Sequence, residues 1–164
     1  MVRSAGVASC LPNAKARVTI STLGEVETMT VAATGLPKNV GFDFFIIQQA
    51  NAPFGLSWYQ GDMESDSQGR AVGVFVGRFS RETFIVAPGS TAAPVVDGED
   101  ASTNPATEPV HTFHLGMWFN SPADAAAAGC PNIVTPFNGE HNAGIQVLNT
   151  SNFAVKGPLF NLVQ

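Results

Sequence analysis

The side chains of this sequence best suited to chemistry are three histidines, an aromatic pair and scattered carboxylates. His111 and His114 stand three positions apart. On a helix that spacing would turn both imidazoles to one face, as a metal ion requires. On a strand, positions i and i+3 face opposite ways and cannot share an ion without a bulge. Residues 110–119 read as the longest strand of the chain, apolar on both faces. His111 then lies with Phe113, Leu115 and Met117, and His114 with Thr112, Gly116 and Trp118. The expectation is one histidine at a rim, one hydrogen-bonded inside, and no metal.

Two further sets of residues could form a site. Asn138-Gly139-Glu140-His141-Asn142 sets a carboxylate beside an imidazole in a polar loop. Neighbours in sequence do not ordinarily exchange a proton, so Glu140 and His141 would need His114 brought to them by the fold. Trp58-Tyr59, followed by Gln60, Asp62 and Glu64, is the clearer hint of binding. Strand alternation sends one ring inward and the other outward, where it could stack on a sugar. The plainer alternative has both rings filling space in the core, as Trp118 is expected to do. Trp58, Tyr59, Asp62, His114, Glu140 and His141 are thus the candidate ligand-binding residues.

Known catalytic and cofactor patterns are missing. No G-x-S-x-G marks a nucleophilic serine, and no glycine-rich phosphate loop is present. Asp97-Gly98-Glu99-Asp100 offers oxygens to a hard cation but departs from EF-hand spacing, so it reads as a solvated acidic loop. No catalytic residue, metal or cofactor is assigned.

The elements that must position these groups are strands. Of 164 residues, 45% are hydrophobic and only 13% charged, which excludes a disordered chain or a coiled coil. Period-two alternation runs through residues 17–20, 28–33 and 71–76, the last with Val72, Val74 and Val76 in one row. Gly73 and Gly77 there suggest a bulge or a close backbone approach. Residues 40–48 carry Phe42, Phe44 and Ile46 on one face and Phe45 and Ile47 on the other. A strand apolar on both faces is central and covered twice, and its Asp43 must find a partner or a rim position. One helix is expected near 122–128, with Ser121 as cap, Pro122 in its first turn and Gly129 as its stop. The sum is an all-β chain: a single antiparallel β-sandwich of about seven to nine strands, Ig-like or jelly-roll-like, with a long acidic Ala/Pro/Thr-rich loop near 88–109.

Charge narrows the partners. The net charge is −5, and residues 87–109 hold Asp97, Glu99, Asp100 and Glu108 with no Lys or Arg. Nothing basic clusters to meet nucleic acid, and no apolar run is long enough to insert in a membrane. A homo-oligomer, or an extracellular protein or glycan partner, is left open. Cys10 and Cys130, with nearly three quarters of the chain between them, match no zinc or redox spacing. A disulfide is the simplest use of them and suits a secreted or cell-surface protein. Val7-Ala8-Ser9-Cys10 imitates a lipoprotein cleavage box without the apolar stretch that should precede it. A trimmed secretory leader is therefore expected rather than lipidation, which would leave Cys130 without a partner.

The turn Gly35-Leu36-Pro37-x-Asn39 before an aromatic strand, then Asp66-x-x-Gly69 before the next, resembles bacterial extracellular Ig-like sandwich modules over residues 26–77. Over its whole length the chain is similar to secreted bacterial proteins without assigned activity. The resemblance implies a fold and a compartment and transfers no functional residue. Two expectations of function follow. The first is an extracellular non-catalytic module with a structural, adhesive or assembly role. The second is a glycan-binding module or a weakly metal-dependent enzyme using the aromatic, histidine and carboxylate residues. Their clustering would favour the second and their scattering the first.

Overall fold

The computed structural model describes residues 1–81, 83–85, 109–136, 141–154 and 156–162. Its organising element is β4 (Gly41–Ile47), whose Phe42, Phe44, Phe45, Ile46 and Ile47 are all buried. It lies between β5 (Ser57–Glu64) and β9 (His114–Phe119), and the sheet continues through β10 (Gln146–Asn149) to β1 (Val2–Arg3). A second sheet of β2 (Lys15–Leu23), β3 (Val26–Thr34) and β6 (Ala71–Gly77) packs against it. These eight strands form two sheets whose pairings are all antiparallel, so the chain is all-β and sandwich-like. Between the sheets, Phe42, Phe44, Ile46, Leu115, Met117 and Phe119 meet Met29, Val31 and Ala33. Phe44 stacks on Phe75 of β6 at 5.1 Å. Each such side chain, fully removed from water, contributes about 1.5–3 kcal/mol.

The other face of β4 carries a second, smaller core. Phe45, Ile47 and Trp118 are buried there under Ala143 and the half-buried Phe54. Phe54 meets the Trp118 ring edge-on at 4.9 Å. The loop bearing Phe54 is closed by Gln48 N–H to Leu56 O at 2.8 Å and Gln49 N–H to Phe54 O at 2.9 Å. Both faces of β4 are therefore covered, by the opposing sheet and by loops.

Three expectations are corrected. Residues 110–119 are two strands, not one. β8 (Pro109–His111) pairs with β7 (Thr83–Ile85) in a separate two-stranded sheet, and the chain breaks at Thr112 and Phe113 before β9 begins. Gly73 and Gly77 mark no bulge, because the β3–β6 register runs without a shift. They are close approaches: a Cβ on Gly73 would fall 2.9 Å from Met63 of the opposing sheet. The rings of Trp58 and Tyr59 do not divide into one inside and one outside; both are about half exposed.

The two turns that carry the resemblance brace each other. Leu36 N–H donates to Gly69 O, and Asn39 N–H to Asp66 O. Ser65 Oγ donates to Pro37 O at 2.6 Å. Gly69 has φ 71°, and a Cβ there would strike Leu36 O at 2.2 Å, so only glycine closes this contact. The helix α1 (Pro122–Ala127) starts where Ser121 Oγ accepts from Asp124 N–H. Gly129 ends it at φ 76°, setting Cys130 beside Cys10, and the two form a disulfide with Cα atoms 5.3 Å apart. The acidic residues 97–100 and Glu108 lie outside the described residues. Among those described, no helix is long and apolar enough to cross a membrane.

Candidate functional site

The outer face of the five-stranded sheet gathers most of the candidate residues, and a bulge in β5 decides how. Phe44 pairs with Gly61 and Phe45 with Tyr59, which leaves Gln60 as an extra residue. An unbulged strand would put positions 59 and 62 on opposite faces. The extra residue restores them to one face, and Tyr59 Oη donates to Asp62 Oδ1 at 2.6 Å. Tyr59 also leans on Phe45, with ring centroids 5.5 Å apart. Trp58, opposite Ile46, points to the other side of the same edge strand. Their exposures are 49% for Trp58 and 44% for Tyr59.

Asp62 lies directly opposite Asp43, and Asp43 lies opposite Trp118 on its other side. Asp43 is wholly buried. His141 Nε2 is 3.9 Å from Asp43 Oδ1 and 2.7 Å from Asn120 Oδ1, so the ring bridges a buried carboxylate and an amide. Tyr59, Asp62, Asp43, Asn120 and His141 are thus neighbours at one end of this face.

His114 is not among them. It pairs with Ile47, four residues along β4 from Asp43, which is roughly 13 Å at strand rise. Its ring is buried, with Nδ1 2.9 Å from Thr150 Oγ1, and it borders a cavity of about 240 Å³ with Ala50, Asn51 and Phe153. His111 is half-buried and stacks on Phe113 at 5.1 Å. Since the two histidines belong to different sheets, they do not face one ion. Glu140 lies outside the described residues. Among those described, no three His, Cys, Asp or Glu side chains converge as a metal site would need.

Sequence reasoning flagged Asp43 as needing a partner but not as a neighbour of Asp62 and His141, and it passed over Asn120. Gly61 inside a strand is the signal that announces the bulge. A second bulge had none. In β10 the register shifts between Gln146 and Leu148, so Gln146 and Asn149 share the outer face, where Asn149 Nδ2 donates to Gln146 Oε1 at 2.9 Å. No protein-family model matches the chain, and a search of curated proteins gives no match.

Proposed function

We propose that this protein is an extracellular, non-catalytic β-sandwich module that acts by adhesion, with the edge strand β5 as its contact surface for glycan. The observation that carries the reading is the exposure of Trp58 and Tyr59, adjacent on that edge, beside an Asp62 carboxylate held by the Tyr59 hydroxyl. A sugar presents an apolar C–H face to an aromatic ring and hydroxyls to a carboxylate, and these side chains supply both. Trp58 and Tyr59 face opposite sides of the strand, so they suit a chain passing over the edge rather than one sugar ring.

A catalytic role finds less support. Asp62 is engaged by Tyr59, and His114 lies far along the sheet in contact with Thr150. The extracellular assignment rests on the Cys10–Cys130 disulfide, a bond that persists in oxidising compartments. The test is binding to immobilised β-1,4-linked glucose and N-acetylglucosamine hexasaccharides, with Trp58→Ala and Tyr59→Ala beside the parent protein. Binding lost in both variants, with no new reducing ends released by the parent, is the expected result. Binding that survives both substitutions would refute the assignment of β5.

A further inference from the structure

The three-stranded sheet ends in β6, and the sequence of β6, Ala-Val-Gly-Val-Phe-Val-Gly, contains no charge and no proline. Val72, Val74 and Val76 stand in a row on its outer face, 66%, 61% and 68% exposed. Edge strands ordinarily carry a guard against pairing with another chain: shortness, a bulge, or an outward charge. The other edges of the two sheets each have one. β1 is two residues long, β5 is bulged and bears Asp62 and Glu64, and β2 carries Lys15 and Arg17. β6 has none: it runs seven residues without a register shift, and it has β3 on one side and no strand on the other among the described residues.

We propose that β6 is a self-association edge, pairing antiparallel with β6 of a second copy about a two-fold axis through Val74. A two-fold antiparallel contact joins an edge to itself, as an unguarded strand of this kind allows. In that register Val72 of each copy lies opposite Val76 of the other, and the two valine rows merge into one apolar band. The charges at the strand ends choose the same occupant. Asp66 pairs with Arg70 before β6, and Glu25 pairs with Arg78 after it, all four at the surface. The two-fold sets the first pair of one copy beside the second pair of the other, a cation and an anion meeting a cation and an anion. The two sheets become one of six strands. A contact made by single strands is small beside the about 800 Å² per partner of a standard interface, so the dimer forms with rising concentration rather than obligatorily.

The test is sedimentation equilibrium at protein concentrations up to about 1 mM, on four proteins: the parent, Val74→Lys, Val72→Lys/Val76→Lys and Val72→Lys/Val76→Glu. These side chains point to solvent, and a melting curve for each variant confirms that it folds. The parent should show a monomer–dimer equilibrium. The Val74→Lys and double-lysine variants should weaken it at least about fivefold, because like charges then lie directly opposite. The lysine–glutamate variant should regain dimerisation, since each introduced lysine faces an introduced glutamate of the second copy. The two positions are too far apart along one strand for the pair to form within a chain. A parent that stays monomeric, assembles beyond the dimer, or dimerises equally well as Val74→Lys would overturn the proposal. So would a lysine–glutamate variant no better than the double lysine. Trp58→Ala leaves this equilibrium unchanged, which keeps the outcome separate from that of the glycan contact.

Discussion

Tyr59 and Asp62 touch because Gln60 is one residue too many for the strand it sits in. The hydroxyl donates to the carboxylate at 2.6 Å across a spacing that straight β-alternation would send to opposite faces. Deleting Gln60 should return β5 to plain alternation and turn Tyr59 away from Phe45 and Asp62. Nuclear Overhauser contacts between the Tyr59 and Phe45 rings should vanish in the deletion and persist in Tyr59→Phe. The substitution itself should cost less than about 1 kcal/mol, since the bond is open to solvent. Ring contacts that survive the deletion would show that the bulge does not set this geometry.

The disulfide joins positions 120 apart. In the chain-entropy description, closing a loop of that length stabilises the fold by about 5 kcal/mol, and removing native bridges typically costs 2–5 kcal/mol. Cys10→Ser/Cys130→Ser should therefore unfold at distinctly lower urea than the parent. Mass spectrometry of the alkylated, unreduced parent should find no free thiol. Two alkylated cysteines in oxidised protein would remove the bridge from the account.

Thr150 holds the end of β9. Its Oγ1 accepts from Leu115 N–H at 3.0 Å and meets His114 Nδ1 at 2.9 Å, all in the interior. Thr150→Val keeps the shape and leaves these polar atoms unsatisfied, at a cost of about 1–3 kcal/mol measured by urea denaturation. One equivalent of zinc should shift the melting temperature of neither protein, because His111 and His114 sit in separate sheets. Stabilisation by zinc would contradict that separation.

Asp66 gives the fold an acid-sensitive contact. Its carboxylate is held below its ordinary value of 3.8, first by the Arg70 backbone N–H, then by the Gln68 N–H and the Arg70 charge. A carboxyl whose pKa is lower in the folded state stabilises fully above its unfolded value and loses that contribution as pH falls through the folded one. The stability gap between parent and Asp66→Ala should be widest near neutral pH and close below pH 3.8. A gap constant with pH would mean that the turn is held by its glycines alone.

The sheets were legible where burial is periodic. Residues 40–48 announced a strand covered on both faces, and the structure covers one with the opposing sheet and the other with Phe54, Trp118 and Ala143. Turns written in Gly, Pro and Asp were readable, as were the helix stop and the cysteine pairing. Long-range choices were not. Nothing at Thr112 and Phe113 says that β8 will leave for another partner, because both halves are equally apolar. Of the site, the aromatic pair was visible, but His114 belonged to it only in a straight reading of residue types. Which side chains meet depends on register, and one bulge changes that for every residue beyond it.

The most direct test of the β5 contact uses the protein's two tryptophans. Trp118 is wholly buried and Trp58 is 49% exposed, so iodide quenching of the emission reports Trp58. Titration with β-1,4-linked glucose or N-acetylglucosamine hexasaccharides should give a saturable change in emission and protect Trp58 from iodide. Both effects should be absent in Trp58→Phe and weakened at least about tenfold in Tyr59→Ala. Emission and quenching that stay unchanged across both sugar series at millimolar concentration, in a protein whose sheets are intact by circular dichroism, would contradict the account.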